Sequence, residues 1–259
     1  MLLNNWTQKE EDNWKKSKEL FFDKKIEKAL KQYRNPLIAG DKLGQLLRDS
    51  EKEAVDFTTP RAVKKWASKE TLGKWEIVLK DKKMLAELRV IGRSIANTLR
   101  PLAGHKFSQW VCKVLNESFE YYGLPLECTT KGKIKKSIAK KLIVKKKGKT
   151  IEDFKPDIDI VVLKKIDEKR IPLAIISAKT TLAERIMQTI NWRRYIRHLP
   201  KEVSRLKIYL VTAWEDFKSG TNRERVQELD GVFVCNEDVL EYGKIKKFSK
   251  ILEEFKKIL

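Results

Sequence analysis

Between residues 153 and 181 the chain carries two apolar, β-branched runs, Ile158-Asp159-Ile160-Val161-Val162-Leu163 and Pro172-Leu173-Ala174-Ile175-Ile176-Ser177-Ala178, joined by a charged turn. Runs of that length and composition read as the two strands of a hairpin. Side chains alternate along a strand, so Asp157 and Asp159 share one face of the first run, and Ser177 and Lys179 share one face of the second. Closing the hairpin brings one or two carboxylates and an ammonium together. Carboxylates bind a hard cation such as Mg²⁺, and a neighbouring lysine orients or polarises a water attacking a phosphodiester.

The flanking pattern places this hairpin in a sheet. A helix over 182–198 follows, with Ile186, Ile190 and Ile196 on its inner side. Beyond it, Leu206–Thr212 reads as a buried strand, Arg223–Leu229 as a short helix, Val232–Cys235 as a strand and Phe248–Leu259 as an amphipathic helix. Upstream, Lys106–Tyr122 forms a helix whose inner face carries Phe107, Trp110, Val111, Val114, Leu115 and Phe119. Gly123 closes it. The order predicts an α/β (α+β) domain over 101–259, a mixed central sheet between helices. Residues 1–100 show no strand signal and read as an α-helical region. Thr7 and Glu10 form a capping box before a helix ending near Tyr33. Thr59-Pro60 is placed to open another helix, and Arg100-Pro101 to break the run. Thr58–Leu79 can be drawn as a helix-turn-helix, but packing or dimerisation is the preferred role for this region.

A formal charge of +21 over 259 residues directs the chain toward polyanions. Ten lysines and no acid lie between Lys131 and Lys149; Lys133, Lys135 and Lys136 there, with Arg193 and Arg194, are candidate phosphate contacts, which add affinity without sequence information. Leu142-Ile143-Val144 suggests a short strand inside that run. No apolar stretch has membrane-spanning length and no signal-peptide core is present, so a cytoplasmic protein without membrane contact is expected. Cys112, Cys128 and Cys235 lack zinc or disulfide spacing and read as buried thiols. His105 and His198 have no partner at metal-ligand spacing, and there is no GxGxxG, P-loop or GxSxG.

Pro156-Asp157 followed by Ser177-Ala178-Lys179 resembles the PD-(D/E)XK nuclease signature, with serine in the acidic place. The continuation Lys179-Thr180-Thr181-Leu182-Ala183-Glu184-Arg185 is similar to type II restriction endonucleases that cut CCGG, CCNGG or CCWGG sites. In that group an acidic-Arg pair opens the helix after the catalytic lysine and reads G·C pairs; the basic residue that usually precedes it is here Ala183. The group's glutamate thirteen residues after the lysine falls at Trp192, and its earlier helical acid at Gln109.

The resemblance implies a Mg²⁺-dependent endonuclease acting on double-stranded DNA at a short GC-containing palindrome. Two-fold symmetry of such sites suits a homodimer, with a tetramer as the larger option. Its expected catalytic residues are Asp157, Lys179, Ser177 and Gln109, its metal ligands Asp157 and Asp159, and its base readers Glu184, Arg185 and Gln188. The replacements at Gln109, Ser177 and Trp192 keep open a DNA-binding protein of the same fold without cleavage. A nuclease specific for branched DNA is the third reading.

Overall fold

The computed structural model describes residues 7–67, 82–131, 136–138, 145–146, 149–150, 158–180, 185–213, 217 and 220–259. The helices α1 (Gln8–Gln32), α2 (Pro36–Asp41), α3 (Leu43–Trp66) and α4 (Lys82–Tyr121) precede the first strand. Then come β1 (Leu126–Thr129), β2 (Lys145–Lys146), β3 (Lys149–Thr150), β4 (Ile160–Ile166) and β5 (Lys169–Lys179). The chain continues with α5 (Arg185–Ile196), α6 (Lys201–Ser204), β6 (Lys207–Thr212), α7 (Gly220–Arg225), β7 (Gly231–Val234), β8 (Ile245–Lys247) and α8 (Ile251–Lys256). The predicted strand at Leu142–Val144 lies outside the described residues. Helical N-terminal region and mixed α/β sheet are both as expected.

Two compact units divide the chain: Met1–Lys28 with Leu46–His105, and Ala29–Gln45 with Lys106–Leu259. In the first, the capping box forms: the Thr7 N–H donates to Glu10 Oε2 at 2.8 Å and the Glu10 N–H to Thr7 Oγ1 at 3.2 Å. Arg61 pairs with both Glu11 oxygens at 2.6 and 2.7 Å and covers the Trp14 ring. Ala62, Ala67 and Ile91 form a small core.

Two helix ends expected from proline do not occur. Pro60 lies inside α3 and Pro101 inside α4. Thr59 does not cap; its hydroxyl donates back to the Val55 carbonyl at 2.8 Å, as Thr58 does to Ala54 at 2.9 Å. Burial decides both cases. Ala54, Thr58 and Ala62 form one buried stripe at i, i+4 and i+8, and Leu99, Ala103 and Phe107 form another. Such a stripe sustains a helix by tertiary packing through a residue that lacks its own N–H.

In the second unit, α4 ends where Gly123 takes φ +61°. Gly123 and Leu124 N–H groups close onto the Glu120 and Phe119 carbonyls at 3.0 and 2.8 Å, a left-handed cap open to glycine. Among the described residues the main sheet has six strands in the order β1-β4-β5-β6-β7-β8. β1, β4 and β5 pair antiparallel; β5 through β8 run parallel. The β4–β5 hairpin turns at Asp167, which takes φ 49°. Its register slips between Val162 and Leu163, opposite Ala174 and Pro172, where proline has no N–H to give the ladder. β8 was not expected: Ile245-Lys246-Lys247 has one apolar side chain and pairs only because β7 is already there.

Both sheet faces are covered. Val161, Leu163, Ile175, Ile208, Leu210, Val232 and Val234 pack in one core with Ile186, Ile190 and Ile196 of α5. On the other face the Tyr209 ring meets Phe233 and Phe255, and Phe255 meets Phe119 of α4. Gly44, at the start of α3, donates its N–H to the Cys235 carbonyl at 3.0 Å; a Cβ there would lie 2.2 Å from the Ala213 carbonyl oxygen. Only glycine permits that approach to the ends of β6 and β7. The three cysteines are buried free thiols.

Candidate active site

Pairing fixes the site before any side chain is considered. Ile160 stands opposite Ile176, so Asp159, the residue before β4, arrives beside the C-terminal end of β5. There its Oδ2 accepts the Ala178 N–H at 2.8 Å and the Lys179 ammonium at 2.9 Å. The Lys179 side chain is 3% exposed and that of Asp159 20%. A lysine charge is therefore held almost out of water, and the aspartate opens toward solvent. Lys179 is fixed by its backbone too: it lies opposite Thr212 of β6 and its carbonyl accepts the Ala213 N–H at 3.1 Å. Paired with β6, its main chain cannot shift without breaking that ladder.

Ser177, in the acidic place of the signature, is buried, and Thr189 of α5 donates to its hydroxyl at 3.5 Å. Thr189 is not among the candidate residues legible in sequence; its one signal is a polar side chain beside the apolar stripe of Ile186 and Ile190. Trp192 is buried edge-on to Tyr195, ring centres 5.9 Å apart, where the group's glutamate would stand. Gln109 is half-buried on α4. Gln188 is exposed on α5, and Arg185 opens that helix. Lys136 is exposed in a short helical turn. Asp157, Glu184, Lys133 and Lys135 lie outside the described residues, as does the Arg185 side chain.

Arg193 and Arg194 are not where phosphate contacts beside Lys179 would be. Arg193 is buried, donating to Asp230 Oδ1 at 2.9 Å and to the Leu206 carbonyl at 3.3 Å. Asp230 also accepts the Ile208 N–H at 2.8 Å. Arg194 is bidentate with Glu228 at 2.6 and 2.5 Å. These partners mark the N-terminal end of β6, whereas Lys179 is level with its C-terminal residue Thr212. Five residues at about 3.3 Å each separate the two levels by roughly 15 Å. The distance has a simple cause: α5 runs back along the sheet, so its last turn ends far from the lysine that precedes its first.

The donors at the Lys179 end suit a hard cation. Asp159 presents a partly solvated carboxylate at the mouth, and Asp157 precedes it by two residues. Oxygen ligands of this kind are what Mg²⁺ takes.

Fold and site together define an α/β protein with an acid–lysine centre at the end of a central strand. Residues 133–258 match the family model described as BsaWI restriction endonuclease type 2. That stretch includes Asp159, Lys179 and all the sheet strands except β1. The matched family is one of restriction endonucleases, which hydrolyse DNA phosphodiester bonds. The chain is 32% identical over 111 residues to a protein of Methanocaldococcus jannaschii named "Putative type II restriction enzyme MjaVIP", covering 39% of this chain and 49% of the relative. It thus spans about half the length of the curated relative it matches. The crystal structure of the pre-specific restriction endonuclease BsaWI–DNA complex gives a TM-score of 0.45 at 15% identity, covering 90% of this chain and 87% of that one.

Proposed function

We propose that the chain is a type II restriction endonuclease of the cytoplasm, hydrolysing double-stranded DNA at a short GC-containing palindrome as a homodimer or tetramer with Mg²⁺. The observation that carries this is the buried Lys179 ammonium clamped on Asp159 at the end of β5, inside the stretch that matches the endonuclease family. Asp157 and Asp159 would hold the metal, which supplies Lewis-acid polarisation of the scissile phosphate. Lys179 orients the attacking water or stabilises charge building on the phosphate, an electrostatic role strengthened where water is excluded. Ser177 stands in the second acid's place, and Gln109 offers a carbonyl oxygen. Glu184, Arg185 and Gln188 read bases from the start of α5; Lys133, Lys135 and Lys136 bind phosphates.

A second reading, DNA binding without cleavage, is favoured by one feature. Trp192 puts a buried indole, which offers a cation no carboxylate, in an acid's position. Plasmid digestion with Mg²⁺ separates the two: discrete fragments support the enzyme, whereas a mobility shift without cutting supports the binder. In the enzyme, Asp157→Ala and Lys179→Ala should each abolish cutting and leave DNA affinity within a few fold. Near-normal cutting by either variant would remove the hairpin as the active centre.

A further inference from the structure

Residues 193–207 carry six cations, Arg193, Arg194, Arg197, Lys201, Arg205 and Lys207, against one acid, Glu202. The end of α5, α6 and the start of β6 gather them at the end of the sheet remote from Lys179, and Lys244 joins them from the segment before β8. Asp230 already serves Arg193 at 2.9 Å, Lys207 at 3.5 Å and the Ile208 N–H. Glu228 is committed to Arg194, and its backbone carbonyl accepts from Arg197 at 3.4 Å. Lys244 donates to the Leu229 carbonyl. Five cations thus crowd two carboxylates. Burial lowers the Lys244 pKa; Asp230 opposes this, while Arg197, Arg193 and Lys207 push it lower still. Arg193 is likewise lowered, by burial first, against Asp230 and with Arg197. The positive charge here exceeds what the protein itself neutralises, and Arg197, Lys201 and Arg205 are exposed at its rim.

An oxyanion would complete this cluster: guanidinium groups and ammoniums are the donors that bind phosphate oxygens. The separation of roughly 15 Å along β6 keeps these donors from the phosphate that Lys179 would address. We infer that this end of the sheet is a second phosphodiester-binding surface, taking the backbone of a DNA segment other than the one seated at Lys179. The inference rests on the endonuclease reading for the first segment. It gives the protein a way to hold two stretches of DNA, or to remain on DNA between sites, through contacts that carry no sequence information.

The test uses the full chain and the triple variant Arg197→Ala/Lys201→Ala/Arg205→Ala, whose exposed positions leave folding intact; a matching circular dichroism melt verifies this. Each protein is first saturated with a short duplex carrying the cleavage site, in Ca²⁺. Binding of a second, fluorescent duplex of unrelated sequence is then followed by anisotropy across a salt series, with inorganic phosphate as competitor. The wild type should bind the second duplex. The variant should bind it at least tenfold more weakly, its salt slope lower by up to three units, and should bind and cut the short duplex within twofold of wild type. Three results would overturn the inference: no second duplex on the wild type, an equal loss for both duplexes, or occupancy by inorganic phosphate with no second duplex. Failure of the endonuclease reading is seen separately, as a wild type that never cuts the short duplex in Mg²⁺.

Discussion

Lys179 and Arg193 are both buried cations with a carboxylate partner, and they do opposite things. Lys179 meets a partly exposed aspartate at the mouth of the sheet, where a substrate phosphate can approach. Arg193 meets a carboxylate that is itself 13% exposed and already bonded to β6, so its charge joins helix to strand. Removing one partner of such a pair strands the other, at a cost of several kcal/mol. Arg193→Ala should therefore destabilise the protein by about 3 kcal/mol, read as a lower urea midpoint with unchanged slope. Arg193→Lys, which keeps the charge but not the fork, should recover part of that loss. Arg185 opens α5 six residues after Lys179. A guanidinium there can donate twice to guanine O6 and N7, a contact worth roughly 1–3 kcal/mol of discrimination. Arg185→Ala should weaken binding to the cognate site about tenfold or more and leave unrelated DNA nearly unaffected; an equal loss on both would make it a phosphate contact.

At the scale of elements, helix ends are set by different forces. The start of α1 is local: Thr7 and Glu10 satisfy each other's backbone N–H, and the Glu10 carboxyl falls to about 2, chiefly through the Thr7 N–H and then through Lys64. The sign follows from the direction. A carboxyl lowered on folding stabilises above its ordinary value near 4.5, and that contribution disappears as pH falls from there toward 2. Carbon-detected titration of Glu10 should give a midpoint near 2 in the native protein. Lys64→Ala should move it upward, and an unchanged midpoint would leave the backbone bond as the whole cause. The continuation of α3 and α4 through Pro60 and Pro101 is not local, since only buried stripes on those helices outweigh the lost hydrogen bond.

For the whole molecule, a charge of +21 makes DNA affinity an ionic-strength measurement. The run between Lys131 and Lys149 flanks the hairpin in sequence and contains no acid. Replacing three of its lysines by glutamine should weaken binding equally for cognate and unrelated DNA. The slope of log affinity against log salt should flatten by roughly one unit per lost contact. A slope that does not change would turn that run away from DNA. No helix among the described residues is long and apolar enough to cross a membrane.

What the sequence determined by itself is whatever depends on near neighbours. The β4–β5 hairpin, the inward isoleucines of α5, the Gly123 cap and the Thr7–Glu10 box follow from alternation, periodicity and turn chemistry over a few residues. Lys179 was legible for the same reason: a lysine closing an apolar strand after an acidic strand partner is a short-range pattern. Whatever depends on which strand lies beside which came only with the folded sheet. Strand register is what places the Asp159 Oδ2 on Lys179. β8 exists because β7 offers it an edge. Arg193 and Arg194 share a helix with Arg185, and the run of α5 back along the sheet carries them to its far end. A one-dimensional pattern gives the face and order of side chains; distance across the sheet appears only once the strands have paired.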